Sequence, residues 1–387
     1  MPSHRRNFLN LTIAGGLTLP LRTLGQDARG AVKITEVRPI IAAPNTLFIL
    51  VRASNGQFGL GEASPMNVRV EAALVEQSLR DLLVGADPFE TSPLYHTMLY
   101  RRFKLGPQGA LSEAMAGVDM ALWDLKGKIL GQPVWRLLGG RFRERIAVYF
   151  SYGWDHKATP ADVGKLMGAA AQRGYGAVKI RMDWSPARLD PVDDPAERML
   201  SEIRAAVGPK VDLMFDVNNG YSTARAIEMG RRLHEKFGIV HYEEPTPQYD
   251  YAAMAEVARA VPVPIAAGEH EYTLWQFKDL IAQGHPAIVQ PDVTKCGGLT
   301  PAMQIAALVE AHNLSIVCHC TTPTVGMAAT LHYVAAVEPA RPRQEFTGER
   351  ESLQRFFGNR LEFSEGTLRV PDGPGLGLDP KLDELLK

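Results

Sequence analysis

The chain has 387 residues, 45% of them apolar and 22% charged, with a formal net charge of −1. That length exceeds one small core and suits two domains, and the near-neutral charge offers no basic face for nucleic acid. The three cysteines, Cys296, Cys318 and Cys320, are too few and too close together for a disulfide framework.

Residues 1–28 read as a leader. Arg5-Arg6-Asn7-Phe8-Leu9 precedes an apolar stretch from Leu11 to Leu21, which resembles a twin-arginine export signal. The expectation is a periplasmic protein, or a cytoplasmic one if the leader is not functional. The apolar stretch is too short to span a bilayer, so no membrane span is expected in the mature protein.

Residues 31–145 read as a separate α+β domain. Lys33–Pro39, Thr46–Ala53 and Phe58–Glu62 read as antiparallel strands, with a hairpin turn at Asn55-Gly56. Helical patterns follow at Val70–Val84, Pro93–Arg102 and Ser112–Leu130, the last with Ser112 as N-cap and a stop at Gly131.

From residue 146 to 350 short apolar runs alternate with helical ones. Strands are expected at Ile146–Tyr152, Ala177–Arg181, Val211–Asp216, Ile239–Glu243, Pro264–Glu269, Ala287–Gln290, Leu314–His319 and Arg343–Phe346. This rhythm implies an α/β fold with a parallel barrel. The tail, 353–387, lacks the rhythm and is expected to pack back on the N-terminal domain.

Asp216, Glu243, Glu269, Asp292 and His319 recur about every 25 residues, roughly one strand, helix and their loops. Each stands near the C-terminal end of a strand-like run, where such barrels build active sites. Three carboxylates on successive strand ends imply a hard divalent cation, and all-oxygen ligands favour Mg2+. An Asp and a His on the next two strands imply an oriented base. Strand alternation turns Lys179 and Arg181 to one side, separates Glu243 from Glu244, and turns Cys318 and Cys320 away from His319. Asn218 can face the same cavity. His241, His270, His312 and His332 have no evident partner and read as structural, although His270, beside Glu269, could reach the site. Lys295 reads as a loop residue.

Lys179-Ile180-Arg181, Phe215-Asp216-Val217-Asn218, Tyr242-Glu243-Glu244-Pro245, Gly268-Glu269 and Gln290-Pro291-Asp292 with Gly297-Gly298 resemble the enolase superfamily. Ala121-Leu122-Trp123-Asp124 through Gly139-Gly140 resembles the end of its capping domain. The resemblance implies a modified (β/α)7β barrel with an α+β capping domain. It also implies one Mg2+ per subunit, held by Asp216, Glu243 and Glu269, and a homo-oligomer. Asp292 and His319 look like the dyad of the mandelate racemase subgroup, and Glu345, ahead of Glu338, like the last-strand residue that meets the substrate carboxylate.

One departure bears on the chemistry. Relatives often carry Lys-x-Lys on the second strand, with the second Lys as a base. Here Arg181 stands in its place and is a poor base. The resemblance then favours a sugar-acid dehydratase that acts on an aldonate or aldarate. The alternatives are a racemase or epimerase of a 2-hydroxy acid, or a non-catalytic sugar-acid binder. Galactonate dehydratase-like enzymes place a His where this chain has Asn218. Substrate choice is expected to lie in Pro44–Leu47, Ser64–Val68 and the loop Asp183–Pro195.

Overall fold

A computed structural model of the chain describes residues 32–182 and 189–387. The arginine-led leader and the first six residues of the Asp183–Pro195 loop lie outside the described residues. Among the described residues no helix is long and apolar enough to cross a membrane.

Strands β1 (Ile34–Ala43), β2 (Thr46–Ala53) and β3 (Phe58–Glu62) form an antiparallel meander. The helix Ala110–Leu130 lies across this sheet and is apolar nearly all round its first three turns, so it is buried on every side there. Its contact with β3 requires glycine. A Cβ on Gly61 would stand 1.9 Å from the Gly117 carbonyl oxygen, and one on Gly59 2.0 Å from that of Ala121. The helix stops at Gly131, whose φ of 63° is left-handed. Its start differs from expectation. Gly109 is the N-cap, and the Ser112 hydroxyl instead donates to the Tyr272 carbonyl across the domain boundary.

Eight strands make the barrel: β4 (Arg145–Trp154), β5 (Ala177–Met182), β6 (Asp212–Asp216), β7 (Ile239–Glu243), β8 (Ile265–Ala267), β9 (Ile288–Val289), β10 (Ser315–Ile316) and β11 (Gln344–Phe346). They pair in parallel in chain order, and β11 returns to β4. The fold is therefore a TIM-barrel-type α/β fold with an N-terminal α+β cap. The strands shorten from ten residues in β4 to two in β9 and β10. No ladder joins β10 to β11. Side chains bridge that seam: Gln344 accepts from the Cys318 N–H at 2.8 Å and donates to the Ile316 carbonyl at 3.0 Å.

The tail ties both parts together. A hairpin of β12 (Phe363–Ser364) and β13 (Thr367–Arg369) pairs antiparallel with the start of β4. Beyond it the Leu376 N–H donates to Asp124 of the long cap helix, and Phe356 and Phe357 meet Phe48 of β2 edge-on. The expected packing on the N-terminal domain is present, with the hairpin on the barrel in addition.

Candidate active site

Register alone sets the first half of the mouth. Arg181 is level with Asp216, and Asp216 with Glu243, across three neighbouring strands. The second half is coil: β8, β9 and β10 end before Glu269, Asp292 and His319 respectively. A cavity of 80 Å3 opens between the halves, lined by Lys179, Arg181, Asp216, Glu269, His319 and Glu345 with Ser151, Thr321 and Thr347. Larger hollows of 320 and 550 Å3 surround Glu310 and Glu338 at the opposite end of the barrel, so of the two candidates Glu345 stands at the mouth and Glu338 does not.

Lys179 is the hub. Its ammonium is 2.7 Å from both Glu243 carboxylate oxygens, 3.1 Å from Glu345 and 3.8 Å from Asp216. Burial opposes charge on this lysine, yet Glu243, Glu345 and Asp216 hold its pKa well above the ordinary value. Glu345 also accepts the Cys320 N–H at 2.9 Å. Arg181 packs over Gly153, where a Cβ would stand 2.7 Å from the guanidinium. A larger residue at position 153 would require the guanidinium to shift.

His319 bridges the two acidic groups. Nδ1 lies 2.7 Å from Asp292 Oδ2, and Nε2 lies 3.0 Å from Glu269 Oε2. Asp292 is itself fixed, since its Oδ1 accepts both the N–H and the hydroxyl of Thr294 at 2.7 Å. Burial disfavours the imidazolium, but Glu269 and Asp292 outweigh it and push the ring up to about 10. The two carboxylates thus favour the imidazolium, and a cation that drew on the Glu269 charge would favour the neutral ring.

The donor set fits a hard divalent cation. Asp216, Glu243 and Glu269 are all buried. Burial and Glu243 raise the Asp216 pKa well above its ordinary value, which marks charge repulsion at the mouth. Each of the three keeps an oxygen with spare capacity. Glu243 Oε2 takes Lys179, His241 and Gln290, but Oε1 takes Lys179 alone. Asp216 Oδ1 accepts the Asn218 N–H, leaving Oδ2 toward the mouth. Glu269 Oε2 is a buried oxygen with no aligned donor, despite its closeness to His319. The most tightly grouped ligand atoms, within 4.8 Å of one another, belong to Glu244, Glu269 and His270. Within the Asp216–Glu243–Glu269 trio, Lys179 stands between Glu243, Asp216 and Glu345.

Several sequence expectations need correction. Glu244 does not point away: β7 ends at Glu243, and Glu244 has a φ of 39°, so strand alternation stops there. Its carboxylate accepts Asn219 Nδ2 at 2.8 Å and lies 3.3 Å from His270. His270 and His241 thus both have carboxylate partners, the latter Glu243 at 2.9 Å. Asn218 sits in a left-handed turn, φ 51°, and holds Asp216 through its backbone N–H; it is not among the cavity-lining residues. Lys295 is more than a loop residue. It is 3% exposed, and Glu269 and Asp292 raise its pKa against the cost of burial. An acidic ring around a Lys that follows Asp292 by three was the available signal. His332 is structural as expected, its Nδ1 accepting the Trp135 N–H. Cys318 and Cys320 lie in the main apolar core, Cys320 against Thr330 of the following helix.

Comparison with known proteins identifies the family and agrees with the fold. Residues 33–139 match the family model of the mandelate racemase / muconate lactonizing enzyme N-terminal domain, and residues 162–385 match the enolase C-terminal domain-like model. A D-galactonate dehydratase of Ralstonia nicotianae is 34% identical over 92% of this chain and 93% of its own length. A D-galactarolactone cycloisomerase of Agrobacterium fabrum is 33% identical over 88% of this chain and 90% of its own length. Among solved structures, a mandelate racemase/muconate lactonizing protein of Paracoccus denitrificans, complexed with magnesium, superposes with a TM-score of 0.87. It is 36% identical, over 92% of this chain and 98% of its own. The chain belongs to the mandelate racemase / muconate lactonizing enzyme family of the enolase superfamily.

Proposed function

We propose that the protein is a Mg2+-dependent dehydratase of an aldonic or aldaric acid. The observation that carries this reading is one oriented base at the mouth among the described residues. His319, held by Asp292, stands at the mouth, while the opposite strand presents Arg181, which cannot accept a proton. Two-base racemisation needs an acceptor on each face of the α-carbon; elimination needs one base. The D-galactonate dehydratase and D-galactarolactone cycloisomerase relatives support acid-sugar chemistry.

Asp216, Glu243 and Glu269 would hold the Mg2+, one per subunit, which supplies Lewis-acid stabilisation of charge developing on the substrate carboxylate. Lys179 and Glu345 orient that carboxylate from the other side. His319 Nε2 takes the C2 proton, and Asp292 fixes the ring through Nδ1. The C2–H electron pair moves to the carboxylate carbon and returns to form the C2–C3 double bond as the C3–O bond breaks. The leaving hydroxide takes the proton held on His319 and departs as water. The enol then tautomerises to a 2-keto-3-deoxy acid. Arg181 binds a substrate hydroxyl beside Gly153.

The cycloisomerase relative favours a second reading, in which the leaving oxygen belongs to a ring and stays in the product. A screen of aldonic and aldaric acids and their lactones, read by semicarbazide and mass spectrometry, tests both. Dehydration yields a keto acid lighter by one water, and ring opening conserves mass. A diastereomer with no new carbonyl, or full turnover in excess chelator, removes the dehydratase reading.

The leader is part of the same proposal: residues 1–28 direct the enzyme to the periplasm, tested by fusing them to a reporter that requires twin-arginine export.

A further inference from the structure

Asp292 and His319 stand on consecutive loops, and each loop runs directly into a helix, Leu299–Ala311 or Val325–Ala336. Neither helix has a side-chain cap of its own at its first position, Gly298 or Thr324. First-turn N–H groups need acceptors. In both cases the capping domain supplies one. Asp119 of the long cap helix accepts the Thr300 N–H at 2.9 Å through Oδ2. Glu62, the last residue of β3, accepts the Gly326 N–H at 2.8 Å and the Thr324 hydroxyl at 3.0 Å through Oε2. Both carboxyl groups are buried, Asp119 fully and Glu62 at 2% exposure.

The approach is built into the sequence. Gly298 has a φ of 105°, and a Cβ there would stand 2.4 Å from Asp119 Oδ2. Trp123, one turn along the same cap helix, adds a second contact, with Nε1 donating to Thr300 Oγ1 at 2.9 Å.

We propose that Asp119 and Glu62 are positioning residues, two cap carboxylates that clamp the loops of Asp292 and His319 so that the pair keeps its 2.7 Å contact. Strands β9 and β10 have two residues each, so no ladder reaches the mouth to set these loops. Gln344 and Glu345 hold the N–H groups on either side of His319, and Thr294 holds Asp292, so the grip on the far ends completes their placement; a shift of about 1 Å at a reacting pair costs up to about a hundredfold in rate. Glu62 also stands two residues before Ser64, the start of the cap loop expected to meet substrate. One carboxylate therefore anchors the substrate wall and the base wall together. The inference rests on the proposed roles of Asp292 and His319.

The test uses the full chain supplied with Mg2+ and compares Asp119→Ala and Glu62→Ala with the isosteric Asp119→Asn and Glu62→Gln, which retain an acceptor oxygen. Three quantities are measured: amide hydrogen exchange at Thr300 and Gly326, the His319 ring N–H resonance in 15N-histidine-labelled protein, and kcat and KM on the acid that yields product in the screen above. The alanine variants are expected to speed exchange at those amides, shift the His319 resonance and lower kcat about tenfold with KM nearly unchanged, and the isosteres to restore most of it. Should an alanine variant not fold, Thr324→Val removes one of the Glu62 donors and is expected to give the same signature, weaker. Unchanged exchange overturns the clamp. Faster exchange with an unmoved His319 resonance and unchanged kcat leaves only a helix cap and overturns the positioning role. If no sugar acid turns over, the functional reading falls, while exchange and the resonance still decide the clamp.

Discussion

The His319 ring is held between two carboxylates with opposite effects: Asp292, 2.7 Å from Nδ1, orients it, and Glu269, 3.0 Å from Nε2, masks the nitrogen proposed to take the C2 proton. Asp292→Asn separates these effects. The amide cannot accept from His319 Nδ1 and from the Thr294 N–H and hydroxyl at once, because one of its ends is a donor. The expected result is a fall in C2 proton exchange with deuterated solvent of about 10²–10⁴-fold, the usual contribution of a positioned base. Exchange at the native rate in this variant would remove Asp292 from the mechanism.

Lys179 compensates three buried carboxylates, so its loss is expected to show in stability before activity. Lys179→Met leaves Glu243, Glu345 and Asp216 facing each other without the ammonium. Breaking a buried pair by removing one partner costs about 3–5 kcal/mol, which urea unfolding in chelator would read. Added Mg2+ is expected to raise the melting temperature of this variant more than that of the native chain, since a ligand of the folded state stabilises by mass action. Equal Mg2+ shifts in both proteins would argue against the carboxylates of the mouth as the cation site.

The cap sheet and its helix predict a steep glycine dependence. Gly61→Ala sets a methyl 1.9 Å from the Gly117 carbonyl, inside any tolerable contact, whereas Gly56→Ala meets nothing within 4 Å and carries only the cost of a φ of 84°. Overpacking typically costs about 1–3 kcal/mol and more where backbone is struck. Gly61→Ala is expected to lower the urea midpoint well beyond Gly56→Ala. Equal midpoints would mean that helix and strand stand further apart than described.

Where strands are long, periodicity in the sequence reaches the site. The alternation in Lys179, Arg181, Asp216 and Glu243 holds because β5, β6 and β7 stay in register over the last three pairs before the mouth, beyond the irregularity between Leu213 and Met214. Glu244, His270 and Lys295 escaped the same reasoning because they lie past the strand ends, where a left-handed φ or an irregular loop erases the period of two. Ser112 shows another limit: its spacing suits an N-cap, but its hydroxyl serves a partner 160 residues away. The clamp of Asp119 and Glu62 was illegible for that reason, since neither carboxylate has a local partner that the sequence could announce.

That clamp carries a pH signature. Burial pushes the Glu62 carboxyl from 4.5 up to about 7, outweighing the Gly326 and Thr324 hydrogen bonds and the facing Arg350. Asp119 rises from 3.8 to about 7 for the same first reason, against Thr300, Leu299 and Lys126. Between the unfolded value and about 7 the folded state binds the extra proton, so stability falls as pH rises through that window and levels off above it. For Glu62 the shift corresponds to about 3 kcal/mol across the window at most. Glu62→Gln removes the titration while keeping an acceptor for Gly326, so its stability is expected to lose about one proton's worth of slope, roughly 1.4 kcal/mol per pH unit. Urea midpoints of the native chain and this variant from about pH 4.5 to pH 8 measure the difference. Parallel curves would show that Glu62 has the same proton affinity folded and unfolded, and that burial does not set its charge.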